Sequence, residues 1–191
     1  MKDIKSHIAI FASGNGSNAE NIVSYFSKKK TATVDLIVSN NNNAFVLERA
    51  VKLKIDSHII SRNDFKQPKS LLKKLKDKNI DFIILAGFLW LIPSELILAF
   101  PKKIINIHPA LLPKYGGKGM YGDYVHQAVS AAGETESGIS IHYVNQSYDE
   151  GDIIFQKTVN IKAGENPEKI AEKVHALEYE YFPKVIEQVI L

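Results

Sequence analysis

The chain has 191 residues, a length that suits one domain with a substantial buried core. Hydrophobic residues make up 45% and charged residues 24%, and the net charge is +3, so the composition indicates neither disorder nor nucleic-acid binding. The absence of cysteine excludes disulfide bonds, thiolate catalysis and thiolate zinc sites.

Every hydrophobic segment of the chain is short. The apolar run that precedes Ser13 has about five residues, fewer than the apolar region of a signal peptide contains. No stretch approaches the roughly 20 apolar residues of a membrane-spanning helix. We therefore expect a cytoplasmic protein, a monomer or a homodimer, that acts on small molecules and binds neither a membrane nor nucleic acid.

Apolar runs and amphipathic segments alternate along the chain, and their periods predict its secondary structure. The earlier elements are expected, in chain order, as a strand at 7–12, a helix at 17–29, a strand at 34–38, a helix at 44–53, a strand at 58–60, a helix at 68–78, a strand at 81–86, a helix at 93–100 and a strand at 103–107. A glycine-rich loop at 110–122 is long enough to be functional. The later elements are a helix at 123–132, strands at 137–144 and 152–159, and a last helix capped by Asn166.

The alternation of strands and helices through the first two thirds of the chain predicts an α/β fold with a doubly wound, mostly parallel sheet of the Rossmann-like kind. The last two strands alternate in the way typical of an antiparallel pair near the C-terminus. In such sheets, binding sites lie beyond the carboxyl ends of the strands. We therefore expect the segments 13–18, 86–92 and 106–109 to lie close together.

The segment 13–18, with the sequence SGNGSN, joins the first strand to the first helix. Its glycines let the backbone approach a ligand closely, and the start of the helix offers free N–H groups to an anion. A phosphate site is therefore predicted here. The alternative is a tight turn in which Ser17 or Asn18 caps the helix. A dinucleotide site is not favoured, because the third glycine of the GxGxxG pattern is missing.

Two polar side chains, Asn106 and His108, stand at the end of a predicted buried strand and point to the same side of it. A carboxamide can hydrogen bond a developing oxyanion, and an imidazole can donate or shuttle a proton, so the pair suits acyl transfer. Asp149, in the turn YDEG, is a candidate partner that would raise the pKa of His108. The alternatives are a structural strand cap for the pair and an ordinary turn carboxylate for Asp149.

The other histidines are weaker candidates for chemistry. His7 and His58 stand at strand beginnings and suit surface or packing roles. His142 lies on a strand, where it would be buried with its hydrogen bonds satisfied. No HxH or HExxH spacing occurs, so we expect no metal site.

A series of segments occurs in a fixed order along the chain: SGNGSN at 13–18, LAGF at 85–88, NIHPALLPKY at 106–115, IHYVN at 141–145 and YDEG at 148–151. In content and spacing they resemble the folate-dependent formyltransferase family over nearly the whole chain. The GNGSN loop narrows the resemblance to the branch that formylates glycinamide ribonucleotide. The resemblance implies an enzyme of purine biosynthesis that moves a formyl group from 10-formyltetrahydrofolate, its co-substrate, to the amine of 5-phosphoribosylglycinamide.

The same resemblance implies roles for individual residues. Asn106 would hold the oxyanion of a tetrahedral intermediate, His108 would donate a proton, and Asp149 would keep His108 charged. The phosphate and ribose of the acceptor would bind to four residues: Gly16, Ser17, Asn18 and Glu178. The folate would contact a second set: Leu85, Phe88, Leu89, Trp90, Leu91, Ile92, Ile104, Val144, Asn145 and Tyr148. The peptide bond between Leu112 and Pro113 would be cis.

The resemblance also implies how the chain is divided. It predicts a single formyltransferase domain at 1–191, with a phosphate-binding or nucleotide-binding half at 1–100 and a catalytic and folate-binding half at 101–191. Trp90 departs from the family, in which many members carry an arginine near the glutamate tail of the donor. Arg62, Lys66 or Lys69 would then supply that positive charge. His175, one turn before Glu178, is equally compatible with facing the phosphate and with lying in solvent.

Two other functions stay open at this point. A formyltetrahydrofolate hydrolase would deacylate the same folate without an acceptor. A non-catalytic phosphate-binding module would keep the fold without the chemistry. The joint presence of Asn106, His108 and Asp149 favours a transferase, because a binding module has no need of such a set.

Overall fold

The computed structural model describes residues 5–191, and the first four residues of the predicted domain lie outside the described part. The strands are β1 (Ser6–Phe11), β2 (Ala32–Ser39), β3 (Ser57–Ile59), β4 (Phe82–Leu85), β5 (Ile104–His108), β6 (Glu136–Tyr143) and β7 (Ile153–Asn160). The helices are α1 (Ser17–Lys29), α2 (Phe45–Leu53), α3 (Arg62–Lys66), α4 (Lys69–Asp77), α5 (Ser94–Ala99), α6 (Asp123–Ala131) and α7 (Pro167–Ile190).

The strands form a seven-stranded sheet in the order β3-β2-β1-β4-β5-β6-β7. The pairings from β3 to β5 are parallel, whereas β6 is antiparallel to both β5 and β7. The predicted fold class is therefore confirmed, including the antiparallel pair near the C-terminus. The chain winds outward in one direction from β1 and in the other from β4, so a crevice opens between the loops that follow these two strands.

Apolar side chains cover both faces of the sheet. In β1, Ile8 and Ile10 belong to the core on one face, while Ala9 and Phe11 belong to the core on the other. This alternation follows from the two-residue period of a strand. Helices α1, α2, α6 and α7 pack on the first face, and α3, α4 and α5 pack on the second. Since both faces are covered, the loops at the carboxyl ends of the strands are left to form a site.

The helices agree closely with the sequence pattern. Helix α1 has the predicted range, and the Asn166 side chain caps α7 by accepting a hydrogen bond from the Glu168 backbone N–H. The short helix α3 was not predicted. Its first turn is capped by Ser61, which accepts a hydrogen bond from the Asp64 backbone N–H. No helix in the range 5–191 combines the length and the apolar character that crossing a membrane requires.

Candidate active site

A cavity of about 580 Å³ opens where β1, β4 and β5 end. The segments 13–18 and 106–109, which the sequence grouped together, line it in full, and the third predicted segment, 86–92, contributes its residues 86–89. Further lining residues come from the long loop, the β6–β7 turn, α6 and α7: Gly117–Asp123, His126, Tyr148, Asp149, His175 and Glu178. Parallel strand ends and the glycine-rich loop thus enclose one common space.

The glycine loop is fixed by hydrogen bonds on both sides. The Ser13 backbone N–H donates to the Gly87 carbonyl at 3.0 Å, and the Val46 backbone N–H donates to the Gly14 carbonyl at 3.1 Å. Arg49 Nε donates to the Asn15 carbonyl at 2.9 Å. These contacts hold the loop against the turn after β4 on one side and against α2 on the other.

Gly16 ends this loop with φ of 76°, a left-handed conformation that favours glycine. A Cβ atom at this position would overlap the Val46 side chain. Gly16 is also the N-cap of α1, so no side chain caps the helix, and the alternative in which Ser17 or Asn18 does so is wrong. The backbone N–H groups of the first turn therefore lack a side-chain cap, and they lie at the end of the helix that lines the cavity.

Asn18 and His175 both hydrogen bond to Glu178. The Asn18 amide nitrogen donates to Glu178 Oε2 at 2.9 Å, and His175 Nδ1 lies 2.9 Å from the same oxygen. Glu178 is only 4% exposed, so these two contacts compensate a carboxylate that has little water around it. The hydrogen bond to Glu178 raises the pKa of His175. All four residues predicted to bind the acceptor line the cavity.

The three candidate catalytic residues also line this cavity. Asn106 and His108 extend from β5, and Asp149 comes from the β6–β7 turn, where its φ is 58°, uncommon for a residue other than glycine. Asp149 Oδ1 lies 3.4 Å from Asn106 Nδ2, and Oδ2 lies 3.5 Å from His108 Nδ1. The Gly117 backbone N–H donates to Asp149 Oδ2 at 3.0 Å, which ties the long loop to this group.

Burial controls the protonation of His108. Its side chain is almost fully buried, and desolvation lowers its pKa although the negative charge of Asp149 acts in the opposite direction. Asp149 acts to raise the pKa of His108, as expected, but the expectation that it keeps the ring charged is wrong, because the desolvation of the ring outweighs the attraction. His108 Nε2 lies 2.7 Å from the Tyr115 carbonyl, which can only accept, so this nitrogen carries a proton.

Asp149 itself is held in its charged form. Burial alone would raise its pKa, but the neighbouring rings of His142 and His108 and the hydrogen bond from the Gly117 N–H together lower it below its ordinary value. The site thus combines a carboxylate, a buried imidazole of low proton affinity and a carboxamide. Such a set can accept a proton, stabilise the cation that results and donate a hydrogen bond to an oxyanion.

The residues predicted to bind folate fall into three groups: those that line the main cavity, those that line a second cavity, and those that line neither. Phe88 and Leu89 line the main cavity. A second cavity of about 460 Å³ is lined by Trp90, Leu91 and Ile92, and Tyr148 lines both cavities. The second cavity also contains Arg62 and Lys66, and the Arg62 guanidinium lies 4.8 Å from the centre of the Trp90 ring. Lys69 does not line it.

The remaining predicted folate contacts line neither cavity. Leu85 and Ile104 are buried in the core on the α3–α5 face, and Val144 packs against that core. Asn145 Oδ1 accepts a hydrogen bond from the Ser147 backbone N–H and so shapes the β6–β7 turn. The peptide bond between Leu112 and Pro113 is cis, as predicted.

Comparison with known proteins identifies the family. Residues 6–186 match the family model described as formyl transferase. The chain belongs to this family. It is 37% identical to phosphoribosylglycinamide formyltransferase of Bacillus subtilis, covering 95% of this chain and 93% of that protein. It is 39% identical to the chloroplastic protein of the same name from Arabidopsis thaliana, covering 95% of this chain.

The structural comparison gives the same family. The fold is similar to glycinamide ribonucleotide transformylase 1 of Geobacillus kaustophilus, with a TM-score of 0.88, 35% identity, and coverage of 98% of this chain and 100% of that chain. The chain spans 64% of the length of the Arabidopsis relative and 60% of a relative from Vigna unguiculata. The match to the formyl transferase family thus spans residues 6–186, although the plant relatives are longer.

One residue of this formyl transferase site was not recognised from the sequence as part of it. His142 is buried, as predicted, but its Nε2 lies 3.0 Å from Asn106 Nδ2, one of the candidate catalytic residues. The position of His142 follows from the register of β6 against β5, which the sequence pattern does not specify.

Within residues 5–191, no group of three or more His, Asp or Glu side chains is arranged to hold a metal ion.

Proposed function

We propose that this protein transfers the formyl group of 10-formyltetrahydrofolate to the amine of 5-phosphoribosylglycinamide in purine biosynthesis. One observation carries the proposal: a carboxamide, an imidazole and a carboxylate converge, with contacts of 3.4 and 3.5 Å, on a cavity that also contains the uncapped start of α1. The names of the Bacillus subtilis and Arabidopsis relatives support the same reaction.

The acceptor fits the wall formed by α1 and α7. A phosphate would accept hydrogen bonds from the free backbone N–H groups of Ser17 and Asn18 and would be attracted by the helix dipole. Glu178, held by Asn18 and His175, would accept hydrogen bonds from the ribose hydroxyls. With the phosphate and ribose bound there, the glycinamide amine would extend towards Asn106 and His108, which line the same cavity.

The folate would occupy both cavities, which share Tyr148 as a lining residue. Its formyl end would lie in the main cavity against Phe88 and Leu89, and its remainder would pass Tyr148 into the second cavity. Apolar and aromatic walls suit the pterin and benzoyl rings. Arg62 and Lys66 supply positive charge for the glutamate tail, in place of the arginine that Trp90 replaces. Leu85, Ile104, Val144 and Asn145 would support this slot from behind.

The reaction follows from these groups. The amine attacks the formyl carbon, a new C–N bond forms, and the carbonyl oxygen becomes an oxyanion that accepts a hydrogen bond from Asn106. The attacking nitrogen must then lose a proton. Neutral His108 can accept it, since burial lowers its pKa, and the carboxylate of Asp149 stabilises the imidazolium that forms. His108 then passes the proton to N10 of the folate as the old C–N bond breaks.

The first test replaces the proposed catalytic residues one at a time. His108→Ala should lower kcat by about 10²–10⁴-fold and Asn106→Ala by about 10²–10³-fold, because each removes a group that acts in the transition state. Thermal unfolding of both variants should stay cooperative, with a midpoint close to that of the wild type. Full activity in either variant would contradict the role given to that residue.

The same assay separates the alternatives. Loss of the formyl group from the folate only when phosphoribosylglycinamide is present supports a transferase. Loss without the acceptor indicates a formyltetrahydrofolate hydrolase. No reaction under either condition favours a non-catalytic phosphate-binding module.

Three broader expectations stay predictions. Residues from both of the proposed halves, 1–100 and 101–191, line the main cavity, so neither half would bind both substrates alone. A cytoplasmic location is expected from the sequence, while the name of the Arabidopsis relative states a chloroplastic one. The choice between a monomer and a homodimer can be made by light scattering.

A further inference from the structure

Strand β6 supplies a polar neighbour to each catalytic side chain of β5. In the antiparallel pairing, Asn106 lies opposite His142 and His108 lies opposite Ser140. Directly opposed residues of two antiparallel strands point to the same face and contact each other. Ser140 Oγ donates to the Ala110 carbonyl at 2.7 Å and accepts from the Leu112 backbone N–H at 2.9 Å, so it holds the start of the long loop. His142 contacts the catalytic set instead.

The hydrogen-bond partners of His142 specify its tautomer. Nδ1 lies 2.8 Å from the Tyr143 carbonyl, which only accepts, so Nδ1 carries the proton. Nε2 lies 3.0 Å from Asn106 Nδ2, which only donates, so Nε2 accepts. The residue is 2% exposed, and water therefore does not compete for either nitrogen. The 3.6 Å between Nε2 and Asp149 Oδ1 is too long for a hydrogen bond.

This tautomer has a consequence for the Asn106 carboxamide, whose nitrogen carries two hydrogens. One hydrogen is bonded to His142. The other has only a long contact, 3.4 Å, with Asp149 Oδ1. The second N–H is thus the one that a substrate oxyanion can bind, provided that the amide does not turn over and present its oxygen instead.

We propose that His142 is a positioning residue: by accepting one N–H of Asn106, it directs the other N–H towards the formyl oxygen. Without the ring nitrogen, the amide torsion of Asn106 is broad and nearly two-fold, so the carboxamide oxygen would face the oxyanion for part of the time and repel it. The register shift of β6 against β7 between Ile141 and His142 is a local irregularity of the kind that re-aims side chains next to active sites. The inference rests on the role proposed above for Asn106.

The experiment compares three substitutions of His142. His142→Phe keeps a ring but removes both nitrogens, and it should lower kcat by about 10–100-fold, up to the loss seen in Asn106→Ala. KM for both substrates should change by no more than about 3-fold, because ground-state binding is not affected. His142→Gln, whose side-chain oxygen can reach Asn106, should recover most of the lost kcat. His142→Asn, which is too short to reach it, should not, and it gives the same comparison if His142→Phe fails to fold.

A double-mutant cycle shows whether His142 acts through Asn106. In an Asn106→Ala background, His142→Phe should change kcat by less than about 2-fold. An equal loss of kcat in both backgrounds, or an unchanged kcat in His142→Phe alone, would overturn the proposal. If Asn106→Ala itself retains full activity, the role proposed for Asn106 is contradicted, and the inference about His142 is contradicted with it. His58→Phe, on β3 and away from the cavity, serves as the control that leaves kcat unchanged.

Discussion

At the scale of single residues, the proposed chemistry of this site depends on two opposing influences on the His108 imidazole. His108 is buried under the long loop, and desolvation favours its neutral form. Asp149, 3.5 Å away, favours the charged form. A side chain that accepts a proton only during the reaction benefits from this balance. It is neutral at the start, and a carboxylate stabilises it once it is charged.

This balance predicts the effect of Asp149→Asn. Removing the carboxylate removes an influence that raises the pKa of His108, so the pKa should fall further below its ordinary value of 6.5. NMR titration of the histidine rings should show the His108 midpoint at a lower pH than in the wild type, and kcat should fall because the imidazolium loses its partner. The midpoint of His175, whose raised pKa depends on Glu178, should not change and serves as the internal control. An unchanged or higher His108 midpoint would refute this account.

At the scale of elements, the start of α1 depends on glycine for two separate reasons. Gly16 has a positive φ, and the Val46 side chain of α2 occupies the space where a Cβ atom would lie. Any larger residue must therefore move the helix start relative to α2. Since the first-turn N–H groups are the proposed phosphate ligands, such a movement affects binding more than chemistry.

We therefore expect Gly16→Ala to raise KM for the phosphorylated acceptor by about tenfold or more, with a much smaller change in KM for the folate. Gly133→Ala is the matched control. Gly133 has φ of 68°, but nothing lies within 4 Å of its Cβ position, and it does not line the main cavity. It should carry the same conformational cost without the change in KM. Equal KM values for the acceptor in the two variants would argue against phosphate binding at α1.

A comparison of the predicted and observed elements also shows which features the sequence predicts and which it does not. The periodicity of apolar residues and the positions of Gly, Pro and Asn were sufficient for α1, for the strands and for the Asn166 cap of α7, because these depend on neighbours in the chain. Helix α3 was missed because its five residues are too few to show a period. His142 was missed as a site residue because its partner, Asn106, is set by the register of β6 on β5. The net direction of the His108 pKa shift was missed because burial depends on which loop covers the ring, and no local pattern gives that.

At the scale of the whole molecule, the sheet topology explains why distant segments form one site. The winding reverses between β1 and β4: the chain passes from β1 to α1 on the first face and from β4 to α5 on the second, which leaves a crevice at this edge of the sheet. The antiparallel strands β6 and β7 then extend the sheet beyond β5 and bring Asp149 back to this crevice through their turn. Helix α7 crosses the first face and contributes Glu178 from the far end of the chain. The position of each proposed catalytic or binding group therefore depends on the complete sheet.

The burial of histidines also makes the stability of the whole fold depend on pH. Desolvation lowers the pKa of both His108 and His126 below the value of 6.5 that applies to the unfolded chain. The folded state then binds fewer protons than the unfolded state, so this part of the stability is fully present above pH 6.5 and is lost as the pH falls through the folded-state pKa values. His175, with its raised pKa, acts in the opposite direction but is half-exposed.

We expect the midpoint of urea unfolding to be lower at about pH 5.5 than at about pH 7.5, with a smaller difference in His126→Leu. His126 is the suitable residue to replace, because it is 2% exposed and its Nδ1 has no hydrogen-bond partner among the described residues. An apolar side chain at this position removes a buried group that resists protonation and leaves no donor or acceptor unsatisfied. The variant should therefore be no less stable than the wild type at the higher pH. A pH difference as large in the variant as in the wild type would show that the buried His126 ring does not contribute to the acid sensitivity of the fold.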